Sequence, residues 1–238
     1  MVTRTGRTGE NQTVTSSPDA ELVESAALAL EGVVAATPLE RNQRLSERFG
    51  AEIWFKREDL QVVRSYKVRG AYYTLSTLTP EQRARGVICA SAGNHAQGVA
   101  FACAQMQVHG RVYLPRNTPR QKRQRIAVLG GEYVEIVVFG DNYDEAAAMA
   151  AEDAGHTGAT MIPPFDDPRT IAGQGTIAIE IVDQMLEVTG WEPEVIIVPV
   201  GGGGLLSGCL TWIRERYPQI QVVGVEPAGA ACVSAALQ

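Results

Sequence analysis

Val195-Ile196-Ile197-Val198-Pro199-Val200 runs directly into Gly201-Gly202-Gly203-Gly204-Leu205, and this junction decides the fold class. Six apolar residues without polar alternation read as a strand covered on both faces, the habit of parallel sheets. Apolar residues at Leu206, Leu210 and Ile213 recur at helical spacing, so a helix over 205–215 follows the glycines. Four consecutive glycines let the backbone approach an anion closely, and the helix behind them offers unpaired N–H groups and the positive end of its dipole. A tight turn needs one or two glycines; four in this context read as a phosphate cradle.

The same rhythm extends to either side. Strands are expected over 86–90, 111–114, 133–139, 160–162 and 221–225, with helices over 95–107, 119–129, 143–154 and 169–186 between them. Strands separated by crossover helices make a parallel α/β fold. Upstream, a helix over 20–34 is broken by Thr37-Pro38, and a second helix over 41–49 precedes a strand over 52–56. Residues 1–19, rich in Thr, Ser, Gly and Arg without apolar periodicity, are expected to be a disordered arm.

Composition removes several functions. The 238 residues carry a net charge of −6, so no basic surplus exists to neutralise a nucleic-acid backbone. No apolar run reaches membrane-helix length, and the first residues lack a signal-peptide core, which makes a cytoplasmic location the expectation. Cys89, Cys103, Cys209 and Cys232 occur singly, as free buried thiols rather than as a disulfide framework or a zinc site.

Which phosphate compound the glycines hold is narrowed by their surroundings. No Lys-Ser or Lys-Thr follows them, which excludes a nucleotide P-loop. A dinucleotide fingerprint fails at Ser207, although Glu226 at the end of the next strand keeps a nicotinamide-dependent oxidoreductase open. A second strand-to-helix junction, Ser91-Ala92-Gly93-Asn94-His95-Ala96-Gln97-Gly98, exposes backbone N–H groups beside hydroxyl and amide side chains, as a carboxylate site would; a helix turn capped by Ser91 or Asn94 is the plainer alternative. A hydrolase elbow at Ser91 would need glycine where Cys89 stands.

The 21 basic residues include only three lysines, Lys56, Lys67 and Lys122. Lys122 lies in a basic run that reads as a solvated helix face, and Lys56 neighbours Arg57, Glu58 and Asp59, as in surface charge pairs. Lys67 sits between Tyr66 and Val68 at a loop-to-helix entry, where partial desolvation would suit an amine that forms a Schiff base.

Together, KREDLQVVRSYKVRGA, SAGNHAQG and VPVGGGGL resemble the threonine dehydratases of the fold-type II pyridoxal phosphate enzymes, with GATMIPPFDD, TIAGQGT and GVEPAGA linking them. The resemblance runs from about Thr37 to the last residue. It implies an α/β, tryptophan synthase β-like architecture of two parallel-sheet domains: a small one over 63–162, and a larger, incomplete one over 20–62 and 163–238. It implies that Lys67 bonds covalently to pyridoxal 5'-phosphate, that Gly201, Gly202, Gly203, Gly204 and Leu205 hold its phosphate, and that Asn94 bonds its ring oxygen. Tyr66, where the family often has phenylalanine, would lie beside the ring. Ser91, Ala92, Gly93, Asn94 and His95 would receive the substrate carboxylate.

The implied reaction is deamination of L-threonine to 2-oxobutanoate and ammonia, the first step of isoleucine biosynthesis. L-serine would be a secondary substrate, and Lys67 the base at the α-carbon. Serine racemases of the family carry a second serine, serving as a base, at the place of Ala92, so elimination is expected over racemisation, with a serine racemase or serine dehydratase as the alternative. Glu226 and Ala230 match part of a divalent-cation site of some relatives, but Cys232 replaces its aspartate, so no metal is expected. Dimers or tetramers are common in the family. The length is short for it: the group contacting the pyridine nitrogen and any regulatory domain are expected to be missing, an inactive truncated fragment is a further alternative, and an open sheet edge should remain.

Overall fold

The computed structural model describes residues 17–238. Most of the segment read as a disordered arm therefore lies outside the described residues. Asp19 is ordered: its carboxylate accepts the Leu22 N–H at 2.8 Å and opens helix α1 (Ala20–Leu30). This helix stops four residues short of the predicted end, because Gly32 turns the chain at φ +71°, a conformation that side chains disfavour. Strand β1 (Leu39–Arg41), helix α2 (Gln43–Phe49) and strand β2 (Trp54–Lys56) follow, with Asn42 capping α2 so that Arg41 belongs to the strand rather than the helix. β1 and β2 pair antiparallel.

Next come α3 (Lys67–Ser76) and α4 (Pro80–Arg85). α4, which the sequence reading left unassigned, is opened by a reciprocal cap between Thr79 and Gln82. The alternating units are β3 (Val87–Ala90), α5 (Asn94–Met106), β4 (Gly110–Leu114), α6 (Arg120–Gly130), β5 (Val134–Val138), α7 (Tyr143–Thr157) and β6 (Thr160–Met161). Their strands form one parallel sheet in the order β5-β4-β3-β6. Helix α8 (Pro168–Thr189), strand β7 (Val195–Pro199), helix α9 (Gly204–Arg216) and strand β8 (Gln221–Val225) form a second unit, in which β7 and β8 pair parallel, and a short α10 (Cys232–Ala236) ends the chain.

Each parallel sheet has its own core. Val87, Cys89, Val99, Cys103, Val112 and Leu114 pack with Leu75 of α3 around the first. Val23, Val182, Val198, Cys209 and Ile213 pack around the second. The expectation that β7 is covered on both faces is corrected: Ile196 and Val198 are buried, whereas Val195 and Ile197 are exposed, Ile197 to 69%. Beside β7 runs an apolar groove of about 1270 Å³ bounded by Trp54, Phe55, Ile181, Met185 and Trp191. Among the described residues β7 pairs only with β8, so its other edge is free.

Candidate active site

Close helix packing builds the site from below. A Cβ on Gly98 of α5 would stand 2.8 Å from the Lys67 carbonyl oxygen, one on Gly173 of α8 would stand 2.6 Å from the Gly70 Cα, and one on Gly175 would stand 2.6 Å from the Gly208 carbonyl oxygen of α9. No side chain fits at these crossings, so glycine lets four helices converge. The sequence reading missed this use of Gly173 and Gly175, although two glycines within a long apolar helix cost enough stability to be a signal.

Lys67 is the first residue of α3. Its Nζ donates to the Pro164 carbonyl at 2.6 Å and lies 5.3 Å from the centre of the Tyr66 ring. Burial pulls the amine down from 10.5 to about 8, so a fraction is neutral near neutrality. Tyr66 is half-buried, its ring packed against the second core.

The next residue, Phe165, lies against the glycine loop. Its ring occupies the space where a Gly202 side chain would go, and a Cβ on Gly204 would come within 2.9 Å of it. Gly203 holds φ +83° and is the N-cap of α9 with no side-chain cap, while Gly201 faces open space. The first N–H groups of α9 are therefore left for an anion. The α5 terminus is similar: Gly93 is its N-cap, no side chain caps it, and the Ser91 hydroxyl accepts the Gly93 N–H at 3.2 Å. The plainer alternative, a helix capped by Ser91 or Asn94, is thus not what the structure contains. Asn94 is exposed, Ala92 half-buried and His95 buried.

Three other residues take different places. Lys56 is buried rather than at the surface: its side chain, 6% exposed, donates to the Thr37 carbonyl at 2.6 Å and to Gln184 at 2.9 Å, and pairs with Glu180. Those partners lie far along the chain, out of reach of local reading. Lys122 is exposed on α6. Glu226 accepts the N–H groups of Val233 and Ser234 at 2.8 and 2.9 Å, so it caps α10. Cys89, Cys103 and Cys209 are buried, their thiols pushed up by burial, but Cys232 is exposed on α10, against the expectation of four buried thiols.

An amine of lowered basicity, joined through Pro164 and Phe165 to an uncapped glycine-rich helix terminus, fits a cofactor that carries both an aldehyde and a phosphate. The family model for pyridoxal-phosphate dependent enzymes matches residues 30–238, and the chain belongs to that family, with a fold-type II architecture. Over 231 residues it is 53% identical to the "L-threonine dehydratase biosynthetic IlvA" of Mycobacterium tuberculosis, covering 95% of this chain and 53% of that protein. The Bacillus subtilis protein of the same name is 49% identical over 202 residues, covering 85% and 47%. Among solved structures, the processed threonine deaminase isoform 2 of Solanum lycopersicum matches with a TM-score of 0.82 and 38% identity over 93% of this chain and 64% of its own. Maize serine racemase matches at 0.86 and 30%, over 94% and 66%. The chain spans about half the length of the curated relatives it matches.

Proposed function

We propose that this chain carries the cofactor and substrate sites of a pyridoxal phosphate-dependent threonine dehydratase, which deaminates L-threonine to 2-oxobutanoate and ammonia and serves isoleucine biosynthesis, with L-serine as a second substrate. The observation that carries the reading is the adjacency of Pro164 and Phe165: one receives the Lys67 amine, the other floors the Gly202–Gly204 turn. The names of its relatives support the choice of substrate.

In this reading Lys67 would hold the cofactor covalently, the backbone of Gly201, Gly202, Gly203, Gly204 and Leu205 would bind its phosphate, Asn94 would meet its ring oxygen and Tyr66 would flank the ring. When bound, pyridoxal phosphate supplies an electron sink for the charge left at the substrate α-carbon. Lys67 Nζ, as a free amine, would take the α-proton, which a half-buried amine with a pKa of about 8 can do near neutral pH. Ser91 and the N–H groups of Gly93, Asn94 and His95 orient the carboxylate at the uncapped α5 terminus. Ala92 has no proton to give, which favours elimination over racemisation. The two cores, which meet at α3 through Tyr73 and Leu75, support domains over 63–162 and over 20–62 with 163–238. A cytoplasmic homo-oligomer of two or four copies belongs to the same reading; no described helix is long and apolar enough to cross a membrane.

The test is reduction with borohydride after adding pyridoxal phosphate, followed by mass analysis of the Lys67 peptide and an assay for 2-oxo acid from threonine. A pyridoxyl group on Lys67 and 2-oxobutanoate are expected. Adduct on Lys56 or Lys122 instead, or quenching by a nicotinamide dinucleotide alone, would count against it.

A further inference from the structure

Residues 162–164 present three successive carbonyls, and a side chain from a different helix donates to each. His95 Nε2 of α5 meets the Ile162 carbonyl at 2.8 Å, Thr170 of α8 donates to Pro163 at 3.2 Å, and Lys67 of α3 donates to Pro164 at 2.6 Å. A carbonyl only accepts, so the Nε2 of His95 carries the proton and its Nδ1 is bare; that Nδ1 is buried without a partner. The Ile162 N–H is taken by the Ile88 carbonyl at 2.8 Å, which roots the segment in the sheet. Beyond that root, Pro163 and Pro164 have no N–H and a nearly fixed φ, so a displacement at Ile162 is passed on to Pro164 and Phe165 rather than absorbed.

We propose that His95 is a positioning residue: by holding the Ile162 carbonyl it fixes the proline strap that seats Lys67 Nζ on Pro164 and Phe165 on the glycine loop. This is a role for the imidazole, separate from the backbone N–H assigned above to the substrate carboxylate, and for cofactor binding it rests on that reading of the site. The imidazole can do this steadily because it stays neutral: burial lowers it to about 4, and the charged group it faces is Lys67. A protonated ring would place an unpaired N–H beside that ammonium.

His95→Met and His95→Gln test it, since a glutamine amide can still donate to Ile162 and a methionine cannot. The first readout is the pH midpoint of Lys67 acetylation in the full chain without cofactor, followed by peptide mass analysis. In H95M the Pro164 carbonyl is no longer held toward the ammonium while burial persists, so the midpoint should fall by about half a unit or more; H95Q should keep the wild-type midpoint. The second readout is pyridoxal phosphate titration by protein fluorescence, where H95M should weaken binding about tenfold, the scale of one lost hydrogen bond, and H95Q should restore it. An unchanged or raised midpoint in a folded H95M overturns the proposal. Should H95M not fold, Thr170→Val, which releases the neighbouring carbonyl, must lower the midpoint or the strap has no such role. Wild-type protein without a borohydride-trapped group on Lys67 would sink the cofactor reading alone, because the acetylation midpoint still decides the role of His95.

Discussion

Lys67 is the residue on which most consequences fall. Its amine is held at about 8 in the folded chain against 10.5 when solvated, so below pH 8 the fold carries the cost of a buried ammonium. Between about pH 8 and 10.5 the unfolded chain binds the extra proton, and stability rises with pH. Lys67→Met should therefore raise the melting temperature at pH 7, by the equivalent of about 1–3 kcal/mol, and leave it unchanged near pH 11. Equal effects at both pH values in a thermal melt would contradict this. The same substitution should abolish 2-oxo acid formation. Local sequence showed Lys67 as a candidate, through its aromatic neighbour and helix entry, but not Pro164, the carbonyl that receives it 97 residues later. His95 was legible for its backbone alone, because its side-chain partner comes from a strand end that only the folded sheet brings near.

Helix α3 is the element that joins the two sheets, and a buried charge network secures it. Arg69, with no side-chain exposure, pairs with Glu58 at 2.8 Å and with Glu180 of α8 at 2.6 Å, and Lys56 meets the same Glu180. Burial pushes the Glu58 carboxyl up, but the Arg69 guanidinium, with Thr37 and Gln61, outweighs it and holds the group below the ordinary carboxylate range. Stability from this pair is present above the normal carboxylate pKa and is lost as pH falls through the lowered value. Arg69→Met should cost about 3–5 kcal/mol in denaturant unfolding, because Glu58 loses its charged partner and Glu180 keeps only Lys56. A loss below about 1 kcal/mol would mean that the network does not hold α3 in place. At the α8–α9 crossing, Gly175→Val should separate the helices, and with them the glycine loop, so that pyridoxal phosphate affinity falls even if the chain still folds. The positions of α5, α6, α8 and α9 were readable to within a few residues from helical spacing. Helix α4 was not, since it is short, polar and defined by its Thr79 cap rather than by an apolar stripe.

At the scale of the whole molecule, an apolar groove beside β7 opens the described surface. Ile197 and Trp191, exposed to 69% and 77%, lie along it with Val195 and Phe55, next to the free strand edge. Contiguous apolar surface of this kind binds hydrophobic dyes and promotes association. Ile197→Lys should lower anilinonaphthalene sulfonate fluorescence and light scattering while changing the melting temperature little, since the side chain it replaces is mostly in water; an unchanged dye signal would place the dye elsewhere. The sequence by itself determined the parallel α/β class, the glycine run and the candidate lysine, because each rests on spacing within a few residues, and motifs spread along the chain carried the family resemblance. Only the tertiary structure decided that β7 has one bare face, that Lys56 is buried, and that Lys67, His95 and the glycine loop meet along residues 162–165. Those facts depend on which distant segments pack together, and glycine crossings and paired charges set that packing in three dimensions without leaving a local pattern.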